Sequence, residues 1–386
     1  MRRSLLLFAL SAPLFLSAWG KEKKPEAPQP PRCPDRALLA SARPCPAPEK
    51  PYTVSASFLL WQAKLWGLEF AGKSFLPNTP GNPVQTFNQK IYFPDFAWRP
   101  GFKIQAGGYL PYDEWDVQAG WTYYHDEFTS LKKHVASQIA PAGIGVIPLW
   151  RYPFFRVLGG NQGDPIRYRS AAGNWKMFLN SIDASFGRLF FPNGSLPTRL
   201  FAGAKAAWIR QRYHADYSNG NSVDGFYINF PTVSPNTFQM NSSRFAFTSG
   251  QWGIGPKAGI ETRWNLAWGF RLIANGDLSL LCSFYNLHHE YTDSISEPAE
   301  QLSQASMELE ESFRELTPVL GAMLGFDWAG CFCNTHMNFT VGYEYQYWGS
   351  INHARRNYVQ SLPGETFDMR GDLQMQGLTA SMKFDF

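Results

Sequence analysis

The residues able to carry chemistry are scattered through this chain, with little sign of an assembled motif. Seven histidines occur in 386 residues, and the His288-His289-Glu290 triplet is the one cluster among them. Adjacent side chains on extended backbone point to opposite sides, so the triplet is a poor metal site. No metal and no cofactor is expected. There is no Gly-x-Ser-x-Gly nucleophile elbow and no Gly-x-x-x-x-Gly-Lys-Ser/Thr phosphate cradle. With no catalytic residue to name, the chain is not expected to be an enzyme.

What remains is a set of charges at alternate positions: Lys103, Asp116, Lys205, Lys257, Glu261, Arg263, Arg271, Asp277, Asp327 and Glu344, with Lys383 and Asp385 near the end. Each shares a face with polar residues and opposes an apolar one. In a closed barrel they would line the lumen and set its selectivity. The alternative is that they pair across strands and fill a narrow interior. Barrels of about eight strands are packed inside, whereas aqueous porins use about sixteen. Balanced signs predict weak ion preference in either case.

Stepping from these side chains to the elements that must hold them, residues 1–20 have the pattern of a secretory signal. Arg2 and Arg3 precede the apolar run Leu5–Leu16, and Ala18-Trp19-Gly20 offers a small-x-small cleavage site before Lys21. The run is shorter than the ~20 residues of a spanning helix. Residues 21–51 are rich in proline and charge, include Cys33 and Cys45, and cannot build a core. Residues 52–386 are expected to form the folded body. Its later text holds no long uncharged apolar run, which excludes a helical membrane protein. Mean hydropathy is −0.29, yet 16% of residues are aromatic and 14 are Trp. Half-apolar strands with aromatic girdles have that composition; a soluble sandwich has no need of it. The formal charge of +4 falls to about +2 without Arg2 and Arg3, and no basic stripe stands out, so no nucleic-acid partner is expected.

Strict period-two alternation marks ten segments: Tyr52–Leu60, Phe102–Leu110, Trp115–Tyr123, Trp175–Phe190, Arg199–Gln211, Gln251–Arg263, Trp268–Phe284, Leu316–Trp328, Met337–Tyr347 and Leu378–Phe386. In the fourth, the apolar register shifts between Leu179 and Ile182, which predicts a bulge. Pro256 and Pro318 each remove a ladder donor and are two further candidate bulges. Gly253, Gly255 and Gly259 read as small lumen-facing residues where the wall is crowded. Short connections (Pro111–Glu114, Phe191–Pro197, Asn265–Ala267, Ala329–Thr335) alternate with long ones. The long ones are Ala63–Pro100, His125–Asn174, Arg212–Gly250, Tyr285–Glu311 and Gly349–Gln374. That rhythm belongs to outer-membrane barrels, with short periplasmic turns and long outer loops.

The predicted fold is therefore all-β, a transmembrane antiparallel up-and-down β-barrel in the bacterial outer membrane. The best count is ten strands, with a range of ten to sixteen, because Leu68–Phe70 and Ile91–Phe93 could hide more. Within the long connections, Ser296–Leu316 has helical stretches and is expected to form a loop helix or to extend the following strand. Trp115, Trp264, Trp268 and Trp328 sit beside short turns as one aromatic girdle. Phe384 and Phe386 end the chain as the signal read by the barrel assembly machinery, which with outer-membrane lipid is an expected partner. Cys33, Cys45, Cys331 and Cys333 all fall on the periplasmic side. Cys33–Cys45 would close a short loop, while Cys331 and Cys333 are too near each other to bond comfortably. Links to a second copy or to cysteine-rich envelope proteins are thus open. Cys282 faces the lipid side and is expected to be inert.

Three blocks go beyond a generic barrel: Phe201-Ala202-Gly203-Ala204-Lys205-Ala206-Ala207-Trp208-Ile209; Trp252-Gly253-Ile254-Gly255-Pro256-Lys257-Ala258-Gly259; and Trp98-Arg99-Pro100-Gly101-Phe102-Lys103 leading to Trp115-Asp116-Val117. Together they resemble the major-outer-membrane-protein-like family of Legionella and environmental chlamydiae. The resemblance covers most of Ser55 to Phe386 and implies an abundant outer-membrane barrel acting as a porin or surface protein. It brings no catalytic motif. The leading expectation is porin-like passive diffusion of small hydrophilic solutes. The alternative is a structural or adhesive surface barrel cross-linked through periplasmic disulfides.

Overall fold

The computed structural model describes residues 52–75, 88–110, 115–128, 133–134, 145–151, 155–157, 166–190, 196–227, 236–266, 268–297, 300–332, 335–357 and 366–385. Among them there is no helix. Ten strands form the wall: β1 (Tyr52–Leu65), β2 (Trp98–Tyr109), β3 (Trp115–Phe128), β4 (Tyr168–Phe190), β5 (Thr198–Gly220), β6 (Asn236–Asn265), β7 (Phe270–Glu297), β8 (Glu300–Phe332), β9 (Thr335–Asn357) and β10 (Thr366–Asp385). Each pairs antiparallel with its chain neighbour. The ring closes where β1 pairs β10, from Thr53↔Asp385 to Leu65↔Leu373. Closure leaves no wall edge to present unpaired backbone to lipid, where each such group would cost several kcal/mol. The segments predicted from alternation are these ten strands.

Within the membrane the alternation reads apolar-out and polar-in. Phe58, Ile104, Val117, Ile182, Leu200, Ile254, Leu278, Leu320, Val341 and Leu378 are exposed on the outer surface, where lipid covers them. At ~3.3 Å per residue and a tilt near 40°, Trp252 and Trp264 of β6 stand about 30 Å apart along the membrane normal, the thickness of the hydrocarbon core.

A strand of 30 residues (β6) or 33 (β8) far exceeds the ~10 residues needed to cross. The strands continue past the membrane, and there the pattern inverts without any change of register. On β7, Leu278 and Leu280 point to lipid while Ser279 points in. Farther along, Asn286 and Glu290 point outward and Leu287, Tyr291 and Ile295 are buried. Outside the membrane the outer surface meets water and must be polar, so the apolar set moves to the inner face. Much of the long connections predicted from sequence is accordingly strand: Tyr285–Glu297 and Glu300–Glu311 form one hairpin, and the described residues of Ser296–Leu316 are extended rather than helical.

The same inversion explains the expected bulge in β4. Its ladders with β3 and β5 run unbroken through Leu179 and Ile182, so the bulge is absent. Leu179 is buried inside and Ile182 is exposed outside; the inner face has simply become apolar. Pro256 also makes no bulge, since Ile254↔Cys282 and Lys257↔Ser279 keep one offset. Pro318 lies one residue beyond Val319↔Trp348, where the β8–β9 ladder ends. The irregularities fall instead at Met240/Ser242, Ile295/Glu297 and Trp348/Asn352. Gly255 faces the lumen as expected: a Cβ there would lie 1.9 Å from the Leu280 carbonyl oxygen.

Short strands Ala71–Phe75, Asn88–Tyr92 and Gly145–Pro148 pair with one another. They add no member to the ring, so Leu68–Phe70 and Ile91–Phe93 do not widen the barrel.

Candidate functional site: the barrel lumen

In the membrane-crossing half, every charge predicted to face the lumen does so, and each finds a partner. Arg199 donates to Asp116 through Nε (2.7 Å) and Nη2 (2.5 Å). It lies flat over Gly187, where a Cβ would meet the guanidinium at 2.7 Å. Arg263 bonds Glu261, and Arg271 bonds Asp327, which also accepts from Thr340 at 2.8 Å. One level up, Lys257 reaches Asp183 (3.1 Å) and Asp277 (3.7 Å), and Lys205 reaches the same Asp183 at 3.5 Å. Lys103 pairs with Glu344 at 3.7 Å, and Glu344 accepts from Thr379 at 3.0 Å. Asp385 receives Lys383 at 3.3 Å and His336 at 2.9 Å. Of the two outcomes left open by sequence, mutual pairing is the one seen: most pairs join different strands, while Arg263–Glu261 and Lys383–Asp385 lie within one. Asp183 and Arg199 went unlisted among the sequence candidates: the expected bulge left the face of Asp183 unassigned, and Arg199 is the first charged residue of its strand.

Above the ion pairs the lumen is filled by rings. Trp61, Trp175, Trp348, Tyr213, Tyr217, Tyr285 and Phe245 are each under 2% exposed. Segments that are not wall strands complete the filling. Trp150 stacks on Phe245 (centroids 4.7 Å apart) under the Arg356 guanidinium at 4.5 Å. Its indole N–H donates to the Glu69 carbonyl at 2.6 Å. Tyr213 and Tyr217 donate to the carbonyls of Leu68 (3.2 Å) and Phe70 (2.5 Å). Arg151 is locked to Asp293 with Nε and Nη2 both at 3.0 Å, and Ser243 donates to the same carboxylate. Burial raises the pKa of Asp293 while Arg151 opposes the shift.

The third closing piece is the outer end of β9. At the Trp348/Asn352 irregularity, Ser350 takes a φ of 51°, and the strand turns inward. Ile351, Asn352, His353 and Ala354 are then all buried. The kink is held by the Ser350 N–H on Asp372 (2.9 Å) and the Tyr285 hydroxyl on the Ser350 carbonyl (2.9 Å). Asn352 ties it to the Trp66 carbonyl at 2.9 Å. Sequence offered no signal for Trp150 or Arg151, since Trp150 meets Glu69, Tyr213, Phe245 and Arg356 and Arg151 meets Asp293, all more than sixty residues away along the chain.

The remaining predicted positions are placed as follows. Trp115 stacks on Phe186 at 4.3 Å, and Trp264 and Trp328 flank the same end of the wall. Trp268 sits in the β6–β7 turn at φ 55°, followed by Gly269 at 81°, and is 80% exposed. Phe384 is exposed on the wall, whereas Phe386 lies outside the described residues. So do Cys33, Cys45, Cys333 and the proposed signal; Cys331 enters only as a backbone position near the end of β8. Cys282 is a free, exposed cysteine. His288 and His289 point apart, His288 half-exposed and His289 buried; no metal-binding group forms among the described residues.

Comparison with solved structures finds the outer membrane protease OmpT from Escherichia coli at 10% identity and a TM-score of 0.37, covering 90% of this chain and 100% of that one. The CymD monoaromatic hydrocarbon channel matches at 7% identity and a TM-score of 0.22, covering 87% and 89%. The P. putida toluene transporter TodX matches at 7% and 0.20, covering 88% and 91%. Likenesses this distant carry no functional argument. No curated protein sequence matches the chain. The family described as Legionella pneumophila major outer membrane protein precursor, in contrast, matches residues 44–386, from ahead of the first strand through the last residue. Wall and family agree: this chain belongs to the Legionella major outer membrane protein family and is an outer-membrane β-barrel.

Proposed function

We propose that this barrel is a closed surface and structural protein of the outer membrane rather than an open pore. One observation carries the reading: the inner face is occupied along its length, by paired charges below and buried aromatic rings above. Water-filled passage would require several Trp and Tyr side chains with under 2% exposure to leave their packing. In planar bilayers the purified full-length protein is expected to be silent, and liposomes containing it are expected not to swell in small sugars. Stepwise conductance openings would overturn the reading.

A second reading, passive diffusion of small hydrophilic solutes, is favoured by the nature of the filling. Leu68–Phe70 makes no ladder with the ring and Gly145–Pro148 meets it at one bridge, Val146↔Tyr168, so side-chain contacts carry most of the attachment, and a polar wall lies beneath them. On that reading the same bilayer would show intermittent openings. We assign the barrel no catalytic role. His289 accepts the Arg355 N–H at 3.1 Å, and His353 is enclosed by Glu315, Asp368 and the Ser350 carbonyl, so neither is placed as a base. Disulfide cross-linking through Cys33, Cys45, Cys331 and Cys333 stays part of the structural reading. Its test is non-reducing electrophoresis, where migration unchanged by reductant would remove it.

A further inference from the structure

The outer half of β8 lacks a neighbour on one side. β7 pairs with β8 from Phe270↔Trp328 to Glu297↔Glu300, whereas β9 pairs with it only from Phe332↔Thr335 to Val319↔Trp348. Beyond Trp348 the kink carries β9 into the lumen. Among the described residues, therefore, no strand is paired with Glu300–Pro318 on the side away from β7. Exposure agrees: inward Leu287, Tyr291 and Ile295 of β7 are buried, while Met307, Leu309 and Phe313 on the inner face of β8 stay half-buried.

An open strand edge above the membrane is a template for pairing with another chain. This one is long, regular and acidic. Gln304, Ser306, Glu308, Glu310, Ser312 and Arg314 stand exposed on its outer face, with the Arg314 guanidinium laid over the Phe284 ring at 4.8 Å. Glu311 is taken by Arg355 (2.8 Å) and Glu315 lies 3.5 Å from Arg370. Glu310 has only His288 at 3.5 Å, and Glu308 has no cationic partner among the described residues. Two under-neutralised carboxylates two residues apart share one face. A strand added beside them would set alternate side chains against that face. A second copy of the same edge would bring acid against acid.

We propose that Glu300–Pro318 is a docking edge for an extended polypeptide segment with lysine or arginine at alternate positions, which joins the sheet as an added strand. Backbone hydrogen bonds would supply the attachment, and Glu308 and Glu310 the preference for a basic segment. Nothing in this proposal depends on whether the lumen conducts.

The test uses the full-length protein in detergent and a fluorescent alternating Lys-Thr peptide of about ten residues, with a Glu-Thr peptide as control. Binding is read by anisotropy, and amide exchange is followed over Gln304–Leu316. We expect binding of the basic peptide and slowed exchange confined to that stretch. Affinity should fall about tenfold in E308K/E310K, as two opposed charge pairs imply, with preference shifting to the acidic peptide. E308Q/E310Q should fall between. Heat-modifiable migration checks that each variant is folded. Binding without amide protection would overturn strand addition. Protection already present in the free monomer would mean the chain covers its own edge, and protection that grows with protein concentration alone would mean a second copy does. Either result also overturns the proposal.

Discussion

Asp183 is shared by two lysines, and that sharing makes it the most exacting position in the lumen. Asp183→Asn would leave Lys205, 4% exposed, without its nearest counter-charge. Breaking a buried pair from one side costs about 3–5 kcal/mol, because the stranded charge stays desolvated. We expect the variant to unfold at clearly lower urea, followed by tryptophan emission; an unchanged midpoint would mean that water already solvates the site. His289 gives a pH signature. Burial pushes its pKa down to about 4, below the ~6.5 of an exposed histidine. Between those values the unfolded chain binds the extra proton, so stability is full above about pH 6.5 and is lost as pH falls toward 4. His289→Gln keeps an acceptor for the Arg355 N–H and should flatten that part of the profile. Most of the lumen charges were legible from alternation, because period two assigns a face to every residue in register; Asp183 and Arg199 were missed. The pairings were not legible: Arg199 and Asp116 meet only because β5 and β3 both flank β4.

At the level of elements, the outer parts of the strands are held differently from the wall. The Gly145–Arg151 segment is held by its ladder with Ala71–Ser74, one bridge to the wall at Val146↔Tyr168, the Trp150 stack and the Arg151–Asp293 pair. Arg151→Ala would leave the Asp293 carboxylate buried without its cation. The expected result is faster amide exchange and proteolysis in that segment, with wall strands β7 and β8 unaffected. Equal protection in the variant would show that the aromatic stack suffices. Sequence reading ended most strands where the alternation inverts, near Trp61, Gln211 and Phe284. A reader who assumes one solvent outside the wall will see the inverted stretch as loop or bulge. Nothing local distinguishes it, since Leu179 inside and Ile182 outside are equally apolar.

For the whole molecule, the last strand is what closes the ring. β10 pairs with β9 on one side and β1 on the other, so the wall is complete only when its end is placed. Removing Phe386 is expected to reduce the fraction of protein recovered in the outer membrane. Normal recovery would show that the assembly machinery does not depend on that end. In the intact chain, heat-modifiable migration on gels should accompany the closed barrel.

Taken alone, the sequence determined the all-β class, ten as the best count of wall strands, which face of most of them meets lipid, and which end has the short turns. These follow from local rules, because a strand crossing lipid must alternate and the membrane fixes how long it does so. How the lumen charges and rings are arranged was decided only by tertiary structure. The same charges line a water-filled pore or neutralise one another in pairs, depending on the distance across the ring. The rings of Trp150, Phe245 and Tyr213 meet through contacts between residues far apart in the chain. No periodicity records such distances; closure of the barrel sets them.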